Sequence, residues 1–236
     1  MQNAKDNASL CNKDGEKVDV TIQVTEDKFV FSHNKGYFTN EHIRGLIRKY
    51  SSSDKDRDSE QVGHVYKTTG RFGTGFMTTH LLSENVQVES YYKNDNDTFN
   101  LFSFWLDRGG KNEAKIIEGI NNAFDEAEAT IKSSQSVLLK KNDFKTSFIY
   151  PLTEQKKDLA HIALQEVKSG IAYTLINVPE VNSVTIDEEL LGDSTYKIAL
   201  IDSISHKEDE FKIYNLITNG KKSKSYYLVV NDKNVQ

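Results

Sequence analysis

Apolar residues either alternate with polar ones or recur at helical spacing along most of this chain, which predicts an α/β organisation. Val18, Val20, Ile22 and Val24 alternate with polar residues, as expected of a half-buried strand. Further strands are predicted at residues 29–31, 85–92, 99–106, 144–152, 184–186, 196–201, 211–217 and 226–230. Helical spacing predicts helices over residues 3–10, 40–50, 113–132 and 154–176, with Asn40 as the N-cap of the second.

The apolar stripes of the two long helices indicate which faces should be buried. Both stripes follow the spacing of three and four residues that is typical of an amphipathic helix. The stripe of residues 113–132 consists of Ile116, Ile117, Ile120, Phe124 and Ile131. That of residues 154–176 consists of Leu159, Ile162, Ala163, Val167 and Ile171.

Two breaks in this pattern divide the chain. Apolar residues nearly vanish between Ser51 and Thr69, where charges alternate in sign, and such a stretch is either a mobile lid or disordered. Pro179 marks the second break, after which short β patterns dominate. The sequence therefore predicts one domain over residues 1–178 and a β-rich C-terminal appendage, the start of a second domain, over residues 179–236.

Composition excludes several classes of protein. The single cysteine, Cys11, cannot form an internal disulfide, which favours a reducing compartment. The net charge of −5 gives no direct signal for nucleic-acid binding. No apolar run approaches the roughly 20 residues that span a bilayer, so no membrane association is predicted. These features predict a cytoplasmic protein.

The most informative segment is the glycine cluster of Gly70, Gly73 and Gly75, in the sequence Gly-Arg-Phe-Gly-Thr-Gly-Phe. Glycine lets a backbone approach a ligand closely, and amides at the start of a helix favour phosphate. The helix-spaced residues Met77, Leu81 and Leu82 follow the cluster. Its order, Gly-x-x-Gly-x-Gly, differs from the Walker loop and from the dinucleotide and kinase loops.

Three segments together resemble the GHKL ATPases, the superfamily of gyrase, the ninety-kilodalton heat-shock chaperone, histidine kinases and MutL. They are Asn3-Ala4-Lys5-Asp6, Phe31 to Phe38, and Gly70 to Phe76, in the places of the family's Asn-x-x-Asp helix and its two glycine boxes. A weaker fourth match is Lys145 to Phe148. The closest resemblance is to bacterial proteins with chaperone-like ATPase domains. It implies a two-layer sandwich of the Bergerat type, in which helices cover one face of a mixed sheet.

The resemblance also implies a site for ATP and Mg²⁺. Asn3 would be the metal ligand, and Asp6 would orient that amide or a metal-bound water. The backbone amides of the second glycine box would reach the β- and γ-phosphates, and Thr146 would lie near the adenine. The implied cofactor-binding residues are Asn3, Asp6, His33, Asn34, Gly36, Phe38, Gly70, Phe72, Gly73, Thr74, Gly75, Phe76 and Thr146.

His33 is the main departure from the family, which has an Asp that accepts a hydrogen bond from the adenine amino group. Neutral imidazole offers one acceptor nitrogen, whereas imidazolium offers none. Affinity for the nucleotide should therefore fall as the pH drops through the His33 pKa, about 6.5 if unperturbed. Asn34 is the alternative acceptor.

Catalysis depends on a residue that this sequence does not show. In the chaperone, gyrase and MutL branches of the family the general base is a Glu one helical turn before the motif Asn, and four residues before Asn3 would lie upstream of Met1. The expectation is a truncated chain with no catalytic residue, weak nucleotide binding and hydrolysis near background. A histidine kinase would need an upstream phospho-acceptor His. The non-enzymatic alternative is a degenerate nucleotide-sensing or protein-interaction module. Expected partners are ATP or ADP, a second copy of the chain and later domains of the same protein.

Overall fold

A computed structural model of this chain describes residues 17–48, 78–140, 143–189, 192–206 and 209–231. In this part of the chain the fold is α/β, with one mixed β-sheet and three α-helices. The strands are β1 (Val18–Val24), β2 (Lys28–His33), β3 (Asn85–Lys93), β4 (Phe99–Asp107), β5 (Thr146–Pro151), β6 (Val181–Glu188), β7 (Gly192–His206), β8 (Asp209–Thr218) and β9 (Lys221–Asn231). The helices are α1 (Asn40–Arg48), α2 (Glu113–Ser133) and α3 (Glu154–Asn177), and a short 3₁₀ helix spans Thr78–Leu81.

The nine strands form a single sheet in the order β4-β3-β5-β2-β1-β6-β7-β8-β9. β1 pairs in parallel with β6, and the other described neighbours pair antiparallel. β6 to β9 therefore extend the same sheet as β1 to β5. The domain boundary at residues 178–179 stays a prediction, because no finding tests it.

Alternation in the sequence correctly identifies the core of this sheet. The four apolar residues of β1 that alternate with polar ones are all at most 4% exposed. Val86 and Val88 of β3 are fully buried, and so is Phe104 of β4. Because each such side chain contributes about 1.5–3 kcal/mol when it leaves water, the burial of these residues stabilises the sheet.

α1 begins close to its predicted position. Thr39, not Asn40, caps it, because the Thr39 hydroxyl accepts a hydrogen bond from the amide of His42. Ile43 and Ile47 are buried as the sequence predicts. At the other end, the Arg108 guanidinium donates to the carbonyls of Leu46 and Ile47.

α2 has the predicted extent, and three residues of its predicted stripe, Ile120, Phe124 and Ile131, pack against the core. Its buried residues are Gly119, Ala123 and Ala127, whereas Ile116 and Ile117 are 47% and 49% exposed. The predicted stripe is wrong at these two isoleucines, because the helix lies so close to β4 that only small side chains fit. A Cβ at Gly119 would lie 3.3 Å from the carbonyl oxygen of Asp107.

The same helix closes the outer edge of the sheet. Thr130 Oγ1 accepts a hydrogen bond from Ser103 N and donates one to Ser103 O, at 3.1 and 2.9 Å. A Glu126 carboxylate oxygen accepts from Trp105 N at 2.9 Å. Side chains of α2 therefore pair with three backbone groups of β4, on the edge that no strand pairs with in the described structure. This pairing protects the edge from unwanted association with another strand.

α3 also has its predicted extent and an offset buried face. Its buried residues are Ala160, Leu164, Ile171, Ala172 and Leu175. Of the residues in the predicted stripe, Ile171 is buried, but Leu159 and Ile162 are 38% and 60% exposed. The alanines allow close contact between α3 and the sheet. A prediction from the spacing of strongly apolar residues gives alanine little weight, so it misses these positions.

The N-cap of α2 should contribute measurably to stability. Asn112 accepts a hydrogen bond from the amide of Lys115 at 3.0 Å. Asn112→Ala should lower the free energy of unfolding by about 1 kcal/mol, because an orphan amide of the first turn loses its partner. Urea denaturation measures this loss. Asn122→Ala, at an exposed position within the same helix, is the control and should be neutral or slightly stabilising; equal losses in the two variants would contradict the capping role.

Candidate functional site

The structure describes five of the predicted site residues. They are His33, Asn34, Gly36, Phe38 and Thr146. Asn3, Asp6, Gly70, Phe72, Gly73, Thr74, Gly75 and Phe76 lie outside the described residues, as does the predicted lid at residues 51–69. The site below is therefore built from the segment that follows β2 and from the strands beside it.

The sheet brings His33 and Thr146 together, although 113 positions separate them in the sequence (146 minus 33). His33 ends β2 and Thr146 begins β5, and the antiparallel pairing sets the two residues opposite each other. Their side chains therefore project from the same face, with Cβ atoms about 4.5–5.5 Å apart. Both are buried, at 4% and 0% exposure.

A third polar residue, Ser90 of β3, joins them. Ser90 is fully buried, and its hydroxyl lies 2.7 Å from that of Thr146. Ser90, Thr146 and His33 form what we call the polar trio. Its row across the sheet is otherwise apolar, since Ser90 pairs with Phe102 on one side and His33 with Val20 on the other.

Sequence reasoning missed Ser90, although a signal for it exists. Val86, Val88 and Ser90 lie on the same face of β3, at the period of two that marks the buried side of a strand. A serine that interrupts a buried apolar series needs a hydrogen-bond partner. The pattern could thus have marked Ser90 as a special residue, but it could not have identified Thr146 as the partner.

His33 is electrically neutral at physiological pH. Burial lowers the pKa of its imidazole to about 4, since the charged form loses its hydration, and a hydrogen bond with the backbone of Lys35 opposes this shift only in part. The value of about 6.5 holds for an unperturbed imidazole, so the predicted fall in nucleotide affinity moves to a lower pH. Sequence alone could not give this result, because the shift depends on tertiary burial.

The protonation pattern of the ring follows from its contacts. The contact with the Lys35 backbone raises the pKa, which is the direction expected when the ring donates and a carbonyl oxygen accepts. Nδ1 has no hydrogen-bond partner among the described residues. We therefore assign the hydrogen to Nε2 and a free lone pair to Nδ1. A buried acceptor without a partner costs about 1–3 kcal/mol, which a ligand with an N–H or O–H donor could recover.

The side chain of Asn34 is occupied by Asp19. Asn34 Oδ1 accepts a hydrogen bond from Asp19 N at 2.8 Å, and Asn34 Nδ2 donates to Asp19 Oδ2 at 3.0 Å. The backbone amide of Asn34 donates to Asp19 O at 3.2 Å. This geometry favours His33 over Asn34 as the acceptor that is available to a ligand.

The carboxylate of Asp19 also binds the start of β6. Its Oδ1 accepts hydrogen bonds from Asn182 Nδ2 and Ser183 Oγ, at 2.7 and 2.5 Å. We call the four side chains of Asp19, Asn34, Asn182 and Ser183 the Asp19 bracket. Bonds to a carboxylate are roughly twice as strong as neutral ones, so the bracket holds the segment after β2 firmly against β6.

Gly36 and Phe38 shape the chain as it leaves the site. Gly36 has a φ of +87°, in the left-handed region that favours glycine. Phe38 is 8% exposed and makes an edge-to-face contact with Phe102, with ring centroids 5.5 Å apart. The Phe38 ring thus belongs to the core, and its role in cofactor binding stays a prediction.

The clefts and the charges of the described chain add little to this site. Two open clefts have volumes of about 570 and 550 Å³, the first at the N-terminus of α1 and the second between β4, α2 and the segment after β5. Neither is lined by the polar trio.

Among the described residues no group of three or more His, Cys, Asp or Glu side chains could hold a metal ion. None of the described helices is long and apolar enough to cross a membrane.

Comparison with known proteins gives a distant structural likeness. No protein-family model and no curated protein matches this sequence. Among solved structures, the topoisomerase IV ATP-binding domain of Francisella tularensis, in complex with a small-molecule inhibitor, matches with a TM-score of 0.43 and 11% sequence identity. The match covers 90% of this chain and 56% of that one, so the chain spans just over half the length of that structure.

The buried His33 should make the fold sensitive to acid. Its pKa in the folded state, about 4, lies below the unfolded value of about 6.5, so the unfolded state binds more protons between these pH values. His33 therefore leaves the free energy of unfolding unchanged well above about pH 6.5. It lowers that free energy progressively as the pH drops from about 6.5 towards 4. Relative to His33→Gln, which does not titrate, the wild type should lose about 2 kcal/mol of unfolding free energy between pH 7 and pH 5.

Urea denaturation at several pH values measures this difference. His161→Gln is the matched control, since His161 is exposed on α3. Its pH dependence should follow that of the wild type. If wild type and His33→Gln lose stability in parallel, the buried neutral imidazole is refuted.

The Asp19 bracket should contribute more than an ordinary surface carboxylate. Asp19→Ala removes the acceptor of three side-chain donors, so the free energy of unfolding should fall by about 1–3 kcal/mol. Asp158→Ala, at an exposed position on α3, should change it by no more than about 0.5 kcal/mol. Chemical denaturation of the two variants side by side tests the bracket, and similar losses would argue against it.

Proposed function

We propose that this chain is an ATP-binding domain of the GHKL type. The observation that carries the proposal is the pairing of His33 with Thr146 in a buried row, where Nδ1 of His33 is an acceptor without a partner. Two polar residues from separate motifs of the family thus lie next to each other in the sheet. The left-handed Gly36, three residues after His33, further supports this interpretation.

The polar trio has the chemistry to recognise the base. Nδ1 of His33 accepts a hydrogen bond from the exocyclic amino group of adenine, and Thr146 binds the neighbouring ring nitrogen, directly or through a water. The amides of Gly70, Gly73 and Gly75 bind the phosphates. Asn3 provides an oxygen ligand for Mg²⁺, which supplies positive charge to the triphosphate when bound. The roles of these last four residues rest on the sequence alone.

The finer features of the proposal also rest on the resemblance. They are a two-layer arrangement with helices on one face of the sheet, a lid at residues 51–69 that closes over the nucleotide, and a second domain from residue 179. The activity of the whole protein would couple ATP binding and lid closure to later domains and to self-association, in the manner of a chaperone-like ATPase.

A second candidate is a module that binds a nucleotide without hydrolysing it. The observation in its favour is His33 itself, because a buried neutral imidazole replaces the family's carboxylate and forms a weaker hydrogen bond than a charged acceptor would. Such a module would sense the nucleotide or present a surface to a partner. The two candidates share the binding site and differ only in turnover.

Titration calorimetry with ATP, ADP and a non-hydrolysable analogue tests the proposal. The wild type should bind ATP, and His33→Leu should bind about tenfold more weakly, because the leucine fills the space but removes the acceptor. His33→Gln keeps an acceptor and should bind more tightly than His33→Leu. His161→Leu, an exposed position, is the control and should bind like the wild type.

Further measurements separate the candidates. Release of inorganic phosphate from ATP identifies an ATPase, and binding without release identifies the non-hydrolysing module. Gly73→Val tests the glycine box and should weaken binding of all three nucleotides. If the wild type binds none of them, or if His33→Leu binds as tightly as wild type, the proposed site is wrong.

A further inference from the structure

The hydroxyls of Ser90 and Thr146 form a hydrogen bond, and which of them donates affects which base the site can bind. Both side chains are fully buried, and one hydrogen lies between oxygens 2.7 Å apart. Each hydroxyl can donate one hydrogen, so the pair leaves one hydrogen over. Either Ser90 donates and the spare hydrogen belongs to Thr146, or Thr146 donates and the spare hydrogen belongs to Ser90.

A ligand beside His33 would favour the first arrangement. On the far side of Ser90 lies Phe102, which offers no acceptor. On the far side of Thr146 lies His33, whose Nδ1 carries a free lone pair. Phe102 cannot accept a spare hydrogen from Ser90, whereas a spare hydrogen on Thr146 would be available to a ligand that lies beside Nδ1 of His33.

His33 does not take up this spare hydrogen itself. Thr146 and His33 are not within hydrogen-bonding distance, since Nδ1 has no partner among the described residues. In this arrangement the Thr146 hydroxyl is a donor that lies beside Nδ1 of His33, an acceptor without a partner among the described residues. A ligand edge with the complementary order, a donor beside an acceptor, would satisfy both.

We propose that Ser90 is a positioning residue that fixes the Thr146 hydroxyl as a donor and thereby makes the site selective for 6-aminopurines over 6-oxopurines. The inference rests on the proposed function and adds the selectivity of the same site. Adenine presents an amino donor beside the N1 acceptor, which matches His33 and Thr146. Hypoxanthine presents the O6 acceptor beside the N1–H donor. The acceptor would then face the acceptor of His33, and the donor would face the donor of Thr146.

The selectivity has a direct physical cause. A site whose buried polar groups pair with one base leaves the same groups unpaired with another, and discrimination of this kind is strong. Without Ser90, the Thr146 hydroxyl can turn and offer its lone pair instead. The site then tolerates an oxopurine better and holds an aminopurine less well.

Dissociation constants for ATP and inosine triphosphate, measured by calorimetry at pH 7, test this role. The wild type should prefer ATP by about tenfold or more. Ser90→Ala should reduce that preference at least threefold, with weaker binding of ATP. Ser90→Thr keeps a hydroxyl and should restore the preference. Ser147→Ala is the matched control, because Ser147 is also buried but projects from the opposite face of β5.

The outcomes separate the two proposals. If the wild type prefers ATP and Ser90→Ala keeps the same ratio, even with both affinities lowered, then Ser90 is merely structural and the inference is overturned, while the proposed function stands. If the wild type binds neither nucleotide, both proposals fall. Circular dichroism of each variant confirms that a changed ratio is measured on folded protein.

Discussion

The pairing register of β5 is the constraint on which the candidate site depends. β5 lies between β3 and β2, so its pairing with these two strands determines that Ser90 and His33 lie on either side of Thr146. Side chains alternate between faces, so a shift of one residue would carry Thr146 to the other side of the sheet. Phe148 and Tyr150, on the same face as Thr146, are 7% and 2% exposed. Their burial contributes several kcal/mol and holds in place polar groups that would otherwise favour water.

The Asp19 bracket complements this register from the neighbouring strands. Asp19 lies in β1, yet its carboxylate binds Asn34 after β2 and both Asn182 and Ser183 of β6. One side chain thus fixes the segment that contains Gly36 relative to the strand that leads into β7 to β9. This segment cannot move away from β6 without the loss of a charge-assisted hydrogen bond. A single polar cluster therefore links the residue that follows His33 to the first residues of β6.

The sequence predicted the elements of this fold better than it predicted their contacts. Alternation located β1, β3 and β4, and helical spacing located α2 and α3, because these signals are local. The buried face of α2 was predicted only in part, since close approach to β4 selects Gly119 and Ala123 over larger apolar residues. The glycine box lies outside the described residues, so its role remains a prediction. The contact of Ser90 with Thr146 was not predictable, because sheet order rather than strand pattern creates it.

Burial of His33 has two opposing consequences that together define what the site can bind. It lowers the pKa of the imidazole, so the ring stays neutral at physiological pH. A neutral ring keeps one nitrogen as an acceptor, and we assign that acceptor to Nδ1. Burial also leaves that acceptor without a partner among the described residues, at a cost to the folded state. A carboxylate in the same place would accept more strongly but would cost far more to bury without a partner. A neutral acceptor is thus the form in which an apolar row of this sheet can contain an unpaired polar group at the lower cost.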